Sequence, residues 1–361
     1  MKRWHKGLLA MTAVGVALGI AAYALRGDIA VAMMRRTALK ALSTDAIAAL
    51  PDGLHVGLCG SGSPFPDPKR AGPCVAVVAG RRLFVVDAGD GSARTLQLMG
   101  WPAARVDAVL LTHFHSDHID GLGALMLQRW ASGSREEPLP VHGPAGVETI
   151  VDGFNRAYRP DGDYRIAHHG QAVIPPAGFG GVAKPFALHP ERQEAVVLDG
   201  DGLTVTAFMV DHAPVEPAVG YVFAYKGRKL VISGDTVASA RVETAAKGAD
   251  VLVHEALSPE LVAVLRDAAR DAGRRNLEQI LKDIVGYHTT PEQAAGIAAR
   301  AGVGTLLLHH IVPALPLRAL EGPFLGQARK LFAGPVLVGR DGDVVSMPAG
   351  GKAVTHSNAL R

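Results

Sequence analysis

The sequence has few cysteines and few aromatic residues, and it carries almost no excess of either charge. Two cysteines in 361 residues exclude a small disulfide-framework fold and a cysteine-rich zinc domain. The 37 Lys and Arg residues are nearly balanced by 34 Asp and Glu residues. Three of the basic residues, Lys2, Arg3 and Lys6, lie at the very N-terminus. The rest of the chain therefore lacks the clustered basic charge that binds phosphate backbones, and we do not expect a nucleic-acid partner.

The composition is that of a globular protein, with 48% hydrophobic and 20% charged residues. No internal repeat is visible, and from residue 53 onward short apolar runs alternate with helical stretches, which predicts an α/β fold. We expect a signal peptide or membrane anchor at 1–30, a helical linker at 31–52, a main folded domain at 53–348 with an irregular insert or lid at 134–200, and a disordered tail at 349–361.

Residues 1–30 have the pattern of a targeting segment. The basic N-terminal residues precede an uncharged apolar run from Leu8 to Leu25, and Ala22-Tyr23-Ala24 resembles a cleavage site. The same run is just long enough to span a bilayer. A cleaved export signal and an uncleaved anchor both remain open. Either one places the body outside the cytoplasm, in the periplasm or another extracytoplasmic space, with attachment to the inner membrane in the second case.

The two cysteines, Cys59 and Cys74, flank a short Gly/Pro-rich loop between two predicted strands. In an exported protein such a pair can form a disulfide, and two buried free thiols are the alternative. Neither cysteine is placed like a metal ligand.

The most informative stretch is the histidine-rich segment that follows the apolar run from Val106 to Leu111. His113, His115, Asp117 and His118 lie within six residues. An apolar run of this length that ends in polar residues indicates a buried strand opening into a loop. Imidazole nitrogens and carboxylate oxygens are ligands of a borderline divalent metal, of which zinc is the commonest. The segment therefore predicts a metal site.

The second half of the chain repeats this arrangement, since four short apolar runs each end in polar residues. The residues at these ends are Asp211-His212, Gly234-Asp235-Thr236, His254-Glu255 and His309-His310. In α/β sheets, ligands bind beyond the carboxyl ends of the strands. We therefore expect these side chains to meet at one edge of the sheet.

A helix predicted at Pro291–Ala301 adds a geometric constraint. Thr290 suits the N-cap, Pro291 the first helical position, and Gln293 completes a capping box. A helix and the strand that follows it run antiparallel, so the start of this helix and the end of the next strand lie on the same side. This places His288 near His310.

The pattern His113-x-His115-x-Asp117-His118, together with His212, Asp235 and His310, resembles the metallo-β-lactamase superfamily over about 54–345. The resemblance implies an α/β fold, an αβ/βα four-layer sandwich of two packed mixed β-sheets flanked by helices, and makes 53–348 a catalytic domain. Four further segments are similar to the branch that contains the tRNA 3′-processing ribonucleases and a bacterial arylsulfatase; they are Ser233-Gly234-Asp235-Thr236, His254-Glu255-Ala256, His288-Thr289-Thr290 and His310-Ile311-Val312-Pro313.

The resemblance also implies roles for individual residues and two Zn²⁺ ions per chain. One metal would be held by His113, His115 and His212, the other by Asp117, His118 and His310, with Asp235 bridging them. Two metals of this kind lower the pKa of a bridging water and clamp the leaving oxygen of an ester. The catalytic residues would be Asp117, which orients or deprotonates the water, and the Glu255–His288 pair, which protonates the leaving group.

Residues next to these positions have no assigned chemistry. His309 would be a neighbour of the site. Asp87, Asp120 and Asp211 are candidate hydrogen-bond acceptors for the ligand histidines, with turn or cap roles as the alternative. His254 would be structural, because it faces opposite to Glu255 by strand alternation.

For the substrate, the segment 150–200 contains mixed charges and no basic arm, and the leader directs the chain out of the cytoplasm. We therefore expect an exported zinc-dependent hydrolase that cleaves a small-molecule sulfate or phosphate ester through a metal-bridging hydroxide. The alternatives are a hydrolase of a lactone, thioester or β-lactam, a ribonuclease Z-like phosphodiesterase, and, less favoured, a non-catalytic binding protein. A homodimer and membrane contact through an uncleaved leader both remain open.

Overall fold

The computed structural model of the chain describes residues 2–360, apart from the side chains of Lys2, Arg3 and Lys6. The basic side chains of the predicted leader, together with Met1 and Arg361, therefore lie outside the described residues. The chain divides into an N-terminal unit that ends at Ala46 and a body that begins at Ile47.

The N-terminal unit consists of two helices, α1 (Lys2–Ala24) and α2 (Arg26–Ser43). The segment Gly7–Ala24 of α1 has a mean hydropathy of 1.9, and by length and composition it can cross a membrane. None of the side chains of α2 is buried. The linker predicted at 31–52 is thus helical as far as Ser43 only.

The body contains two β-sheets. The eight strands of the first sheet are β1 (Gly53–Gly60), β2 (Cys74–Ala79), β3 (Arg82–Val86), β4 (Val106–Leu110), β5 (Leu139–Gly143), β6 (Gly181–Pro185), β14 (Asp343–Pro348) and β15 (Thr355–Asn358). Their order is β15-β14-β1-β2-β3-β4-β5-β6. The pairs from β3 to β6 are parallel and the others are antiparallel, so the sheet is mixed.

The second sheet has seven strands, in the order β13-β12-β11-β10-β9-β8-β7. They are β7 (Glu194–Gly200), β8 (Leu203–Met209), β9 (Val219–Tyr225), β10 (Arg228–Ile232), β11 (Val251–Leu257), β12 (Thr305–Val312) and β13 (Val336–Val338). From β10 to β13 the strands are parallel, and two antiparallel steps through β9 make β8 parallel to β10. The carboxyl ends of β8, β10, β11 and β12 therefore lie at one edge of the sheet.

The two sheets pack face to face because alternate residues of their strands are apolar. Leu54, Val56 and Leu58 of β1 enter one continuous buried core with Tyr221 and Phe223 of β9. This alternation is what a strand with one face on a core requires. The expected sandwich of two mixed sheets flanked by helices is confirmed.

Helices flank both sheets. After α1 and α2 they are α3 (Ser92–Leu98), α4 (Ser116–Ile119), α5 (Leu122–Gly133), α6 (Val147–His169), α7 (Ala240–Ala246), α8 (Pro259–Asp271), α9 (Arg275–Asp283), α10 (Pro291–Ala301), α11 (Glu321–Leu325) and α12 (Ala328–Leu331). The helix α10 has the predicted bounds, and its capping box is complete.

Two predicted irregular segments are ordered. The segment 134–200 contains β5, β6, β7 and the 23-residue helix α6, which runs through Pro160. The side chain of Asn155 anchors this helix to the backbone of Gly181 through two hydrogen bonds of 2.9 Å. Its NH₂ group donates to the Gly181 carbonyl, and its oxygen accepts from the Gly181 N–H. Tertiary contacts thus outweigh the tendency of the proline and glycine residues in this segment to end a helix. The tail predicted to be disordered at 349–361 contains β15, which pairs with β14.

Cys59 and Cys74 form a disulfide, with their Cα atoms 5.0 Å apart. They lie at the ends of the neighbouring strands β1 and β2, where the ladder shifts register. Of the two alternatives that the sequence left open, the structure contains the disulfide.

Candidate metal centre

The histidine-rich segment lies at the carboxyl end of β4. His113 and His118 are buried, His115 is exposed, and Asp117 is partly buried in the short helix α4. His212 reaches the same place from the end of β8. The Nδ1 atom of His115 lies 3.0 Å from Nε2 of His113 and 3.4 Å from Nε2 of His212. Three imidazole nitrogens therefore converge on one point.

The hydrogen bonds on the far side of two of these rings show which nitrogen is available. Nδ1 of His212 donates to the carbonyl oxygen of Tyr287 at 3.1 Å. Nδ1 of His113 lies 3.0 Å from Oγ1 of Thr112, a hydroxyl that itself donates to Asp87. With Nδ1 protonated, a neutral ring has its lone pair on Nε2. The Nε2 lone pairs of His113 and His212 therefore both face Nδ1 of His115, and a cation placed among the three nitrogens could bind all of them.

A second group adjoins the first. Nε2 of His310 lies 3.2 Å from a carboxylate oxygen of Asp117 and 3.2 Å from one of Asp235. Nε2 of His118 lies 3.3 Å from the same oxygen of Asp235 and 3.6 Å from Asp117. Asp235 follows β10 and is almost completely buried. It lies among the side chains of both groups, as the expected bridging position requires.

The structure identifies four overlapping clusters whose ligand atoms lie within 4.8 Å of one another. They are His113–His115–His212, His113–His118–Asp235, Asp117–His118–His310 and Asp235–His288–His310. The structure thus brings together all seven predicted ligands. His and carboxylate donors in two adjoining groups indicate a dinuclear metal site.

Unpartnered buried atoms provide a second test of the fit. Nε2 of His118 and Oδ1 of Asp235 are buried and make no hydrogen bond within residues 2–360. Buried polar groups without a partner are costly, and a cation that replaced the proton of His118 would satisfy both atoms. Burial raises the pKa of Asp235, but the imidazoles of His310 and His118 outweigh it and hold that pKa well below its usual range. The Asp235 carboxylate is therefore ionised and suited to a cation.

The choice between His309 and His310 has a geometric basis in the structure. In the pairing of β11 with β12, Glu255 opposes His309 and Ala256 opposes Ile311, so His310 is the extra residue of a bulge. It has a φ of +47°, and such bulges redirect a side chain. His310 faces the cluster, whereas His309 is buried with neither nitrogen hydrogen-bonded within the described chain. Burial lowers the pKa of His309 to about 3.

Asp87 organises the first-sheet half of the centre. Its carboxylate accepts hydrogen bonds from the backbone N–H of Thr112, from the hydroxyl of Thr112 and from Nδ1 of His118, each at 2.8 Å. Through these bonds it orients His118 directly and His113 through the threonine. Of the three aspartates considered as acceptors, Asp87 alone contacts a ligand histidine among the described residues. Asp211 accepts from the backbone of Ala213 at 3.4 Å, and Asp120 is exposed.

Two supporting groups were absent from the sequence-based predictions, the Thr112 side chain and the Tyr287 carbonyl. The position of Thr112, directly before His113 at a strand end, was a signal that could have identified it. No sequence signal identifies a carbonyl oxygen 75 residues away from the histidine that it orients.

Glu255 and His288 lie together beside the cluster. Oε2 of the fully buried Glu255 faces Nδ1 of His288 at 3.3 Å, and Oε1 accepts from the backbone N–H of Thr289 at 2.7 Å. Burial lowers the pKa of His288, but the carboxylates of Glu255 and Asp235 together raise it, to about 9. Both residues are thus held in place, with the imidazole between Glu255 and the metal cluster. His254 faces away and donates from Nδ1 to the Glu255 carbonyl at 2.8 Å.

Comparison with known proteins agrees with this arrangement. The model of the β-lactamase superfamily domain matches residues 82–311. The chain is 40% identical to the ribonuclease Z of Mycobacterium avium over 290 residues, which are 80% of this chain and 96% of that protein. It is 36% identical over 290 residues to the ribonuclease Z of Mycobacterium tuberculosis, with the same coverage of both chains.

Solved structures show the same fold. The short form of human tRNase Z has a TM-score of 0.56 at 24% identity and covers 81% of this chain and 99% of its own. A metallo-β-lactamase-fold protein from Bacillus subtilis has a TM-score of 0.57 at 21% identity, covering 82% of this chain and all of its own.

The chain therefore belongs to the metallo-β-lactamase superfamily. Within the superfamily it groups with relatives at 36–40% identity that are named ribonuclease Z. The resemblance inferred from the motifs is confirmed.

These relatives overturn two expectations. The expectation of an arylsulfatase-like hydrolase of small anionic esters was wrong, because the relatives are named as ribonucleases. The exclusion of nucleic acid as a partner was wrong for the same reason. The error arose from the missing basic arm. Because 96% of the length of those relatives aligns with this chain, the relatives have no large additional arm that this chain lacks. Net charge and the composition of one segment are poor guides to what a buried metal centre cleaves.

Proposed function

We propose that this chain is a metal-dependent phosphodiesterase that cleaves RNA. The observation that carries the proposal is the combination of the seven converging ligands with the Glu255–His288 pair, in a chain 40% identical to a ribonuclease Z along nearly all of that relative. A phosphodiester carries its negative charge on the non-bridging oxygens, which a pair of divalent cations can neutralise.

The metals assigned to the site are two Zn²⁺ ions. His113, His115 and His212 would hold one, and Asp117, His118 and His310 the other, with Asp235 shared between them. When bound, such ions polarise the phosphoryl oxygens and generate a nucleophile from water at neutral pH. Nitrogen-rich ligand groups of this kind favour zinc over magnesium, which prefers oxygen ligands.

The remaining steps belong to side chains of this chain. Asp117, 13% exposed at the mouth of the cluster, is placed to orient the attacking water and take its proton. His288 is placed to donate a proton to the leaving oxygen, while Glu255 holds the imidazole and stabilises its charge. The Thr289 N–H bond to Glu255 keeps the other carboxylate oxygen aimed at His288.

Cleavage of a 3′-extended tRNA precursor by the purified, zinc-loaded body tests the proposal. We expect a single cut near the 3′ end, and no cut by Asp235→Ala protein at the same concentration. A duplex RNA without a single-stranded end serves as the substrate control. If the precursor remains intact under conditions in which the protein holds two metals, the proposal is wrong.

We further propose that the body lies outside the cytoplasm, as the leader predicts. The Cys59–Cys74 disulfide supports this location, because disulfides persist in oxidising compartments. An exported body would reach only RNA that is outside the cytoplasm. Digestion by an external protease of spheroplasts that produce the full chain tests the location. We expect the body to be degraded in intact spheroplasts, whereas protection until lysis would place it in the cytoplasm.

A further inference from the structure

The cavity at the metal centre has two chemically different halves. Its volume is about 320 Å³. One half of the lining residues are predicted metal ligands, Ser116 and His288. The other is apolar and contains Pro64, Phe65, Ile280, Ile284, Tyr287 and Val312. Metal ions held by the predicted ligands would bind the phosphate, which leaves the apolar half for a different part of the substrate.

The apolar half is assembled from separate parts of the chain. Phe65 comes from the loop after β1, Ile280 from α9, and Tyr287 from the segment directly before His288. Phe65 and Tyr287 are half-buried against a small apolar cluster that contains Ile284 and Val312, while Ile280 is 52% exposed. Apolar surface held open to solvent beside a catalytic centre is typical of a binding site.

The ring of Tyr287 is fixed relative to the centre. Its own carbonyl oxygen accepts the hydrogen bond from His212, and its ring centroid lies 4.9 Å from that of His288 and 5.4 Å from that of His212. A group that packs against Tyr287 is therefore held next to His288, the following residue in the chain, which is the proposed proton donor.

We propose that the apolar half of the cavity takes one unpaired nucleobase next to the scissile phosphate, with Tyr287 and Phe65 as its aromatic walls. This inference rests on the proposed ribonuclease function. The bases are the apolar planes of an RNA, and in a helix they are hidden in the stack. Aromatic side chains accept a base of any identity once it is unstacked. Tyr287 and Phe65 would thus select RNA that is single-stranded at the cut.

Paired substrates test this proposal. Two 3′-extended tRNA precursors are compared, one with its normal nucleotides and one with an abasic residue next to the scissile phosphate. Stacking on an aromatic side chain corresponds to about 5- to 150-fold in affinity. We expect the wild-type kcat/KM to fall by a factor in this range on the abasic substrate. In Tyr287→Leu, which keeps an apolar side chain without the ring, the ratio between the two substrates should approach one.

Two further variants separate the ring from other effects. Tyr287→Phe retains the ring and should retain the preference for the normal substrate. Tyr164→Leu, a matched change at an exposed tyrosine of α6 outside this cavity, should leave the ratio at its wild-type value. Zinc content is measured for each variant, since the Tyr287 backbone supports His212.

A binding experiment separates this inference from the proposed function. A precursor with 2-aminopurine next to the scissile phosphate is mixed with the wild-type and Tyr287→Leu proteins. We expect stacking to quench its fluorescence with the wild type and much less with the variant. Quenching without cleavage would refute the ribonuclease function and keep the base site. Equal cleavage of normal and abasic substrates, or quenching unchanged in Tyr287→Leu, would overturn the base site.

Discussion

Replacing Asp87 by asparagine should weaken metal binding while leaving the fold intact. The Asp87 carboxylate has two oxygens that accept three hydrogen bonds, two from Thr112 and one from Nδ1 of His118. Asparagine has a single side-chain oxygen and an NH₂ group. It also tolerates the φ of +58° at this position, so the backbone need not change.

If the amide oxygen of the new side chain keeps the hydrogen bond from the Thr112 N–H, the NH₂ group faces His118, and Nδ1 of that ring can no longer donate. The ring then takes the tautomer with its proton on Nε2, the atom that faces Asp235 at 3.3 Å and is expected to bind metal. Loss of a partner that orients a metal ligand typically costs about 10- to 100-fold in metal affinity. This corresponds to about 1.4–2.8 kcal/mol.

The assay is competition for Zn²⁺ against a chromophoric chelator, with thermal unfolding of the metal-free protein as a check on the fold. Asp120→Asn is the matched control, since Asp120 lies in the same segment as the ligand histidines, is exposed and contacts no ligand histidine among the described residues. We expect that variant to bind zinc like the wild type. Zinc affinities of Asp87→Asn and wild type within about twofold of each other would refute the role assigned to Asp87.

Three other substitutions are expected to separate the parts of the site. Glu255→Gln keeps the oxygen that accepts the hydrogen bond from Thr289 but removes the charge that faces His288. We expect kcat to fall by about 10²–10⁴ with both metals retained. Loss of zinc in elemental analysis would instead make Glu255 a metal ligand. Asp235→Ala should reduce the zinc content below two per chain and abolish cleavage, and a normal zinc content would exclude Asp235 as a shared ligand. The double replacement of Cys59 and Cys74 by Ala should reduce the free energy of unfolding by about 3 kcal/mol, since the disulfide closes a loop of about 15 residues. Urea denaturation measures this change, and identical midpoints for the oxidised wild type and the variant would argue against it.

The parts of the fold that local signals determine were predictable. The helix Pro291–Ala301 has an N-cap residue, a proline at its first position and a capping-box glutamine, all within four residues. The structure contains all three features. The residues expected to bind metal were likewise visible, because they follow apolar runs and match the motifs of the superfamily. That ligands bind beyond the carboxyl ends of strands in α/β sheets predicted that these residues meet at one edge.

Features that depend on tertiary contacts were not predictable in this way. Pro160 indicates a helix break, yet α6 continues through it and is anchored by Asn155 to a strand 26 residues away. The tail forms β15 only because β14 offers an unpaired edge. Asp87 was one of three candidate acceptors, and the sequence did not distinguish it from Asp120 and Asp211 because its partner His118 lies 31 residues later in the chain.

The substrate was missed for a different reason. Counting charges over 150–200 tests only for a basic arm, whereas the cavity beside the candidate metal centre is partly apolar and includes Phe65 and Tyr287. These residues are far apart in the sequence and have no motif of their own, so the choice among the alternatives rests on relatives named ribonuclease Z that align along nearly their whole length.

The proposed function requires that the seven predicted ligands hold two metals and that the resulting centre cleaves RNA. Titration of the metal-free body with Zn²⁺, with cleavage of a 3′-extended tRNA precursor measured at each step, tests it most directly. We expect activity to rise until two equivalents per chain are bound and then to reach a plateau, and Asp235→Ala to stay inactive throughout. A plateau at one equivalent, or no cleavage at any zinc content, would contradict the claim.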